Sequence, residues 1–511
     1  MTSNKIDSSF NREFQKEYIL SIDQGTTSSR AVLIDSKTLE FCKISQKEHK
    51  QYYPNPGWVE HDLVEIWNNV SEAIVQVCEG FNCKNIITLG LTNQRETVCA
   101  FRKNGKPICH AIVWQDKRTS EFCKNLSDKY LNYKKITGLP LDPYFSATKI
   151  KWLLENNTEI QNANRDNDLL FGTVDTYILY RLTNGKSYFT DTTNASRTLL
   201  FNLKKCDWDD DLLRFFNISR ENLPLIKNTM DDFGKSEGIK EIEGVSINAL
   251  VGDQQSALVG QGALTQGEMK CTYGTGAFVL LNTGSEIIES KNGLLTTVAY
   301  TNKLEKCYAL EGSSFIAGAA VQWLRDELKL ISKSNEIEEL AKTISSIEEC
   351  RSLVFFPFFS GIGAPYWKSE AKACLWGMTR DTGKEQLAQV VLEGIAQTIA
   401  DLFDAFREDF KITKNNMQSV KVDGGAASNN LLMEIQANLA GLKMIRPRQL
   451  ETTVLGAALL AKSFKLDKPL KSVAATLQVD REFLEDVNIN ILEYYKSKRR
   501  HWRELIQRIY L

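Results

Sequence analysis

No stretch of this sequence stays apolar over the ~20 residues that a membrane-spanning helix needs, and that excludes a chain built on transmembrane helices. Charge of one sign is also missing. Lysine and arginine number 63 against 64 acidic residues, a net charge of −1, so nothing points to nucleic acid or an anionic membrane as principal partner. Only four histidines occur, at 49, 61, 110 and 501, with no metal-ligand spacing among them. The eleven cysteines include no Cys-x-x-Cys pair. Odd in number and irregular in spacing, they fit reduced thiols in the cytoplasm better than a disulfide framework or a zinc site. No Gly-x4-Gly-Lys-Ser/Thr loop is present, which excludes a P-loop nucleotide site. Asp232-Phe233-Gly234 spells the metal motif of protein kinases, but no His-Arg-Asp loop precedes it. The segment from Met1 to Lys16 lacks an apolar core and reads as a mobile extension, not a secretory signal.

What is there is more specific. With 511 residues, 42% apolar and 25% charged, the chain has an ordinary globular composition and the length for two or more domains. Its most informative stretch is Asp23-Gln24-Gly25-Thr26-Thr27-Ser28-Ser29-Arg30, set between the apolar runs 18–22 and 31–35. Two strand-like runs around a Gly-hydroxyl turn read as a hairpin. Gly25 permits close approach to the backbone, and the turn's N–H groups and hydroxyls suit phosphate oxygens. Asp23 suits a hydrated Mg²⁺, which keeps several waters and uses few carboxylates. The same residues also suit a turn that satisfies only its own backbone. The pattern recurs in Thr272-Tyr273-Gly274-Thr275-Gly276-Ala277, about half the chain away. One such hairpin per half suggests a duplicated fold that holds a nucleotide. A third turn, Asp423-Gly424-Gly425-Ala426-Ala427-Ser428-Asn429, runs from a short strand into a helical pattern. That geometry accepts phosphate or ribose, or is a plain connection capped by Ser428 or Asn429.

Around these turns strands alternate with helices, which argues for α/β layers. Leu63, Ile66, Val70, Ile74 and Val77 share one helical face, followed by the strand-like run 86–91. Ala320, Val321, Leu324 and Leu328 suggest a helix after Gly318, and 387–406 a long one. Leu492, Trp502, Leu505, Ile506 and Ile509 among lysines and arginines predict an amphipathic docking helix at the C-terminal end.

Further blocks of sequence complete the picture: Thr92-Asn93-Gln94-Arg95-Glu96-Thr97, Ala111-Ile112-Val113-Trp114-Gln115-Asp116, Asp142-Pro143-Tyr144-Phe145-Ser146, and Val251-Gly252-Asp253-Gln254-Gln255. Together with the turns, and with Tyr144 to Trp152 and Gly377-Met378-Thr379-Arg380, they resemble the FGGY carbohydrate kinases. Within that family they resemble the branch that acts on glycerol, from about residue 18 to about residue 461. Val390 stands where the family usually has a small residue. The resemblance implies two actin-like α/β domains of the ribonuclease H-like, hexokinase-containing superfamily, with a catalytic cleft between them. An N-terminal domain over 17–260 would carry the acceptor site and first phosphate hairpin. A C-terminal domain over 261–511 would carry the second hairpin and the adenosine site, and 1–16 would be the extension.

The resemblance also implies ATP with Mg²⁺, glycerol as substrate, and a cytoplasmic homodimer. Residue by residue, it implies Asp253 as the base beside the reacting hydroxyl. Arg95, Glu96, Tyr144 and Gln254 would lie on the glycerol hydroxyls, with Trp114 and Phe278 over its carbon face. Thr26, Thr27, Ser28, Arg30 and Thr275 would contact phosphates, and Gly318, Gln322, Gly425 and Asn429 the nucleoside side. Asp23, with Asp253 near it, would hold Mg²⁺. Read without the resemblance, Asp253 is equally a helix cap, Arg95-Glu96 a solvated pair, and Trp114 and Phe278 core aromatics.

Overall fold

A computed structural model of the chain describes residues 16–126, 133–368, 370–410 and 419–511. The expected N-terminal extension, 1–16, lies outside these residues except for Lys16. The chain forms two compact units that are not two contiguous blocks. The first takes the described residues up to Gly262 together with Thr297–Tyr308 and Thr452–Leu477; the second takes Ala263–Thr296, Ala309–Glu451 and Gln478–Leu511.

The first unit is built on a five-stranded sheet in the order Ile247–Gly252, Ile86–Asn93, Tyr18–Gln24, Ser28–Asp35, Phe41–Glu48. Tyr18–Gln24 and Ser28–Asp35 form the expected hairpin, with Asp23 opposite Arg30 and Gln24 opposite Ser29. Phe41–Glu48 continues antiparallel beyond the hairpin, while the two pairings on its other side are parallel: Gln24 lies level with Asn93, and Asn93 with Gly252. Three segments far apart in sequence therefore end together at one edge of the sheet. The helix Leu63–Cys78 starts where Asp62 accepts the Val64 N–H, and buries Leu63, Ile66, Val70, Ile74 and Val77 as its periodicity predicts. Each such side chain contributes about 1.5–3 kcal/mol by leaving water.

The helix Thr452–Leu466 packs Val454 and Ala458 on Ile19, Val32 and Ile34 of this sheet. Small residues make that approach possible. A Cβ on Gly90 would lie 2.3 Å from the Ala457 carbonyl oxygen, one on Gly456 1.8 Å from that of Ser256, and one on Gly260 1.9 Å from that of Thr452. This packing brings 452–477 back to the first unit, although it follows most of the second in sequence.

A seven-stranded sheet, most of whose residues belong to the second unit, runs in the order Leu295–Thr301, Lys306–Ser314, Ala277–Gly284, Met269–Tyr273, Ser419–Asp423, Lys443–Pro447, Val479–Phe483; the segment Thr297–Tyr308 of its first two strands is counted with the first unit. The second hairpin pairs Tyr273 with Ala277, and Thr272 lies level with Asp423 in the parallel neighbour. The 26-residue helix Lys384–Asp409 crosses the core, packing Ile395, Leu402 and Phe406 among Val279, Leu310, Val422 and Ile435. Val390 is fully buried there. The helix after Gly318 spans Gly318–Asp326, so Leu328 falls outside it and is exposed.

The C-terminal helix Ile489–Ile509 docks as expected through Trp502, Leu505 and Ile506, whereas Ile509 is exposed. Charge adds to that docking: Lys498 meets Glu393 at 2.8 Å, and Arg499 meets Asp401 and Asp404 at 2.6 Å each. The Trp502 indole N–H donates to Asp401 at 2.8 Å.

Candidate active site

In the first unit, the end of the sheet where Gln24, Asn93 and Gly252 align is the carboxyl edge of the parallel strands, where open α/β sheets bind ligands. The first turn leaves Gln24 here. Its carbonyls are tied from behind. The Gly25 oxygen accepts from the amides of Gln24 (2.8 Å) and Gln94 (3.1 Å), the Thr26 oxygen meets His49 Nε2 (2.9 Å), and the Thr27 oxygen accepts the His49 N–H (3.1 Å). Gln94 also donates to Gln24 Oε1 and meets His61 Nδ1 at 3.3 Å. Burial pushes the His61 imidazole down to about 3 and lowers His49 too, so the pair is neutral at pH 7. Thr27 is exposed, and Thr26 and Ser28 are half-buried. Arg30 leans along the sheet surface with its guanidinium on Gln46 Oε1.

The second strand end reverses sharply. Thr97 N–H donates to the Arg95 carbonyl at 2.8 Å, and Glu96 takes a φ of 62°. A positive φ in a glutamate costs about 1–3 kcal/mol and marks a constrained site. Arg95 and Glu96 are not the solvated pair that adjacent opposite charges suggest: they are 2% and 1% exposed. Arg95 Nε lies 3.2 Å from Asp253 Oδ1 and 3.8 Å from Glu96 Oε1, and its Nη1 donates to Gln255 Oε1 at 3.1 Å. Glu96 Oε1 meets Arg197 Nε at 2.6 Å.

At the third strand end the helix Asp253–Gly260 begins, with Gly252 as its cap position and Asp253 as its first residue. A Cβ on Gly252 would meet the Arg95 side chain at 2.7 Å, so glycine lets Arg95 cross to Asp253. Asp253 Oδ1 accepts the Gln254 N–H at 2.7 Å, and its side chain is 28% exposed. Trp114 donates its indole N–H to Thr26 Oγ1 at 3.0 Å and meets the Tyr144 ring edge-to-face at 5.5 Å. Tyr144 is held by its backbone: its N–H donates to Asp142 Oδ1 at 2.9 Å, and its carbonyl accepts from Lys149 at 2.6 Å. Burial pulls the Lys149 ammonium down to about 8, against the pull of Glu96, Asp116 and Asp142.

Asp23 and Asp253 leave strands separated by one other strand, roughly 10 Å apart across the sheet at the usual strand spacing. Among the described residues no cluster of three or more His, Cys, Asp or Glu could enclose a metal. That donor set fits Mg²⁺, which is held through waters, one or two carboxylates and substrate phosphate.

The second unit offers turns made of backbone. Gly274 N–H donates to the Gly276 carbonyl at 2.8 Å. The turn's carbonyls are tied by Ala317 N–H, Gly318 N–H and Ala319 N–H at 2.8, 2.9 and 3.1 Å, from the start of the Gly318–Asp326 helix. A Cβ on Gly318 would meet the Gly274 oxygen at 2.7 Å, and one on Gly424, whose φ is +87°, the Tyr273 oxygen at 2.5 Å. Gly425 differs: a Cβ there meets nothing within 4 Å. Packing within the chain does not demand glycine at Gly425. Asn429 caps the helix Asn430–Ala440, its Oδ1 accepting the Leu432 N–H at 2.8 Å. Thr275 and Gln322 are exposed and Phe278 half-buried.

The structure thus gathers Thr26, Arg95, Glu96, Trp114, Tyr144 and Asp253 in the first unit. In the second it gathers Thr275, Gly318 and Gly425 around adjoining turns. Asp232-Phe233-Gly234 is a structural turn: Phe233 is in the core and Gly234 N–H donates to Asp232. Sequence reasoning missed Gln255, Lys149, Thr193, Asn194 and Arg197. The last three sit in a polar run, Asp191-Thr192-Thr193-Asn194-Ala195-Ser196-Arg197-Thr198, whose composition reads as solvated loop yet which is wholly buried.

Known proteins bear on this arrangement. The FGGY family of carbohydrate kinases, N-terminal domain, matches residues 18–260, and its C-terminal domain matches 269–463. A glycerol kinase of Treponema denticola is 44% identical over 504 residues, covering 96% of this chain and 99% of its own. A glycerol kinase 2 of Thermotoga maritima is 44% identical over 500 residues, covering 96% and 98%. The crystal structure of a Plasmodium falciparum glycerol kinase with ADP superposes with a TM-score of 0.88 at 34% identity, over 97% of this chain and 99% of that one. A Lactobacillus acidophilus xylulose kinase shares the fold at 22% identity, with a TM-score of 0.85 over 96% and 98%. With both domain profiles matched and the fold in common, this chain belongs to the FGGY family of carbohydrate kinases, built from two actin-like α/β domains.

Proposed function

We propose that the chain transfers the γ-phosphoryl group of ATP to glycerol, giving sn-glycerol 3-phosphate, with Asp253 as general base. The observation that carries the reading is the line of groups at the carboxyl edge of the first unit's sheet: Glu96, Arg95 and Asp253 in succession, with Asp253 the most exposed. Arg95 holds the Asp253 carboxylate aimed, so that it accepts the acceptor's hydroxyl proton as the oxygen attacks phosphorus. Glu96, Arg95, Tyr144 and Gln254 supply acceptors and donors for the remaining hydroxyls, and Trp114 offers an apolar face. A site that pairs every hydroxyl rejects analogues lacking one, because buried polar groups would go unpaired.

In the first unit the Gly25–Ser28 turn would offer backbone N–H groups and hydroxyls to phosphate; in the second the Gly274–Gly276 turn would offer the same, with Gly425 on the nucleoside side. Asp23 and Asp253 would hold Mg²⁺, which supplies charge neutralisation on the transferring phosphate. The reading carries with it a cytoplasmic homodimer, measurable by light scattering of the purified protein.

The deciding experiment is ADP release in the presence of glycerol, dihydroxyacetone, xylulose and gluconate side by side. Preference for glycerol is expected. Preference for xylulose or gluconate would move the assignment to another branch of the family.

A further inference from the structure

Seven of the eight residues from Asp191 to Thr198 are polar, and all eight are buried. A buried polar run persists only when its groups find partners, and the partners here are specific. Asp191 accepts from Thr193 N–H, Thr193 Oγ1, Asn194 N–H and Thr229 Oγ1, each at 2.9 Å. Thr193 Oγ1 in turn accepts the Gly252 N–H at 2.8 Å, just before Asp253. Asn194 and Asn93 exchange amide hydrogen bonds at 3.0 and 3.1 Å, just before Gln94. Arg197, 0% exposed, reaches Glu96 at 2.6 Å. Its guanidinium lies 5.7 Å from the centre of the Tyr144 ring and 5.4 Å from that of Phe145. One short segment therefore holds both strand ends that carry the proposed chemistry.

The charges form an alternating row: Arg197, Glu96, Arg95, Asp253, at successive separations of 2.6, 3.8 and 3.2 Å. Arg95 stands between two carboxylates and lies closer to Asp253. Its choice depends on what else satisfies Glu96. Arg197 supplies that pairing from the fully buried end of the row. Without this 2.6 Å ion pair, the buried Glu96 would draw the Arg95 fork toward itself, since a buried carboxylate that loses a charged partner is strongly disfavoured.

We propose that Arg197 is a positioning residue for the acceptor site. By neutralising Glu96 from behind, it commits Arg95 to Asp253 and keeps the Glu96 carboxylate oriented toward the acceptor. The inference rests on the acceptor site proposed above. It adds a residue that touches neither acceptor nor nucleotide yet governs selectivity between them.

The test compares wild type, Arg197→Met, Arg197→Lys and the double variant Arg197→Met/Glu96→Gln in steady-state assays that vary glycerol and ATP separately. Arg197→Met should raise KM for glycerol at least about tenfold and lower kcat, while KM for ATP stays within about twofold. Arg197→Lys keeps the charge without the planar fork and should fall between. In the double variant no carboxylate competes for Arg95, so kcat should recover above that of Arg197→Met while KM for glycerol stays high.

Equal weakening of both substrates, or a double variant worse in kcat than Arg197→Met, would assign Arg197 a merely structural role and overturn the proposal. If Arg197→Met does not fold, Arg197→Lys decides alone: an unchanged KM for glycerol overturns it. The wild-type arm separates the two readings, since failure of glycerol as acceptor there rejects the function and leaves the Arg197 comparison to be read with the preferred acceptor.

Discussion

The two hairpin turns share a sequence pattern and are held in opposite ways. In the first unit the turn after Gln24 is tied by side chains: the amides of Gln24 and Gln94, and the neutral ring of His49 backed by His61. In the second, the turn at Gly274–Gly276 is tied by three successive backbone N–H groups from the start of a helix. The chemistry follows the same division. The proposed base and acceptor groups of the first unit are side chains in an ion-paired row, whereas the proposed nucleotide groups of the second are mostly glycine and backbone. Side chains can be removed one at a time, so the first unit should be sensitive to conservative substitution. The second should be sensitive only where added bulk meets backbone or ligand.

The largest effect expected from that contrast is at Asp253. Asp253→Asn preserves shape and removes the base, and kcat should fall roughly 10²–10⁴-fold with ATP affinity retained by calorimetry. Near-normal turnover would remove Asp253 from the mechanism.

Next is the adjacent glycine pair of the second unit. Gly424→Ala forces a Cβ to 2.5 Å from the Tyr273 carbonyl oxygen at positive φ, and should cost on the order of 3 kcal/mol in a denaturant titration. Gly425→Ala meets open space and should leave stability within about 0.5 kcal/mol while raising KM for ATP; Gly425→Leu should raise it further. If both glycines cost stability equally, the ligand-approach reading of Gly425 is wrong.

A smaller effect tests how the first turn is held. Gln94→Leu deletes donors to Gly25 and Gln24 and takes from the buried Gln24 Oε1 its Gln94 donor, a loss of about 1–3 kcal/mol. It should raise KM for ATP severalfold. Ala319→Ser, beside the second turn, keeps the backbone donor and should leave that KM within about twofold.

The smallest effect is in the pH dependence. His61 is held near 3 by burial, below its ordinary 6.5. The unfolded chain therefore binds the extra proton first. This contribution to stability is full above about pH 6.5 and is lost as pH falls toward about 3, amounting to about 2 kcal/mol between pH 7.5 and pH 5. His61→Phe should flatten that acid slope in thermal melts. An unchanged slope would place the acid sensitivity elsewhere, in carboxylates that the fold holds below their ordinary range, such as Asp404.

Local patterns were legible wherever one element carries the whole signal. The hairpin at Asp23, the helical face from Leu63 to Val77 and the strand-turn-helix at Asp423 form as their residues indicate. The run from Asp191 to Thr198 was not legible, because polar residues in sequence look alike whether water or other side chains satisfy them. The return of Thr452–Leu466 to the first unit was not legible either. Its reason lies in the paired glycines 90, 260 and 456, each of which reads as a mere tolerated gap until the opposing backbone is in place.

By itself the sequence determined which residues are candidates for the chemistry and which elements present them, since turn preference, side-chain periodicity and glycine turns act over a few residues. Only the tertiary structure decided that Gln24, Asn93 and Gly252 end level, that Arg95 lies nearer Asp253 than Glu96, and that Arg197 closes the row. Register and burial set those relations, and both arise from contacts between segments far apart in the chain, where no local preference reaches.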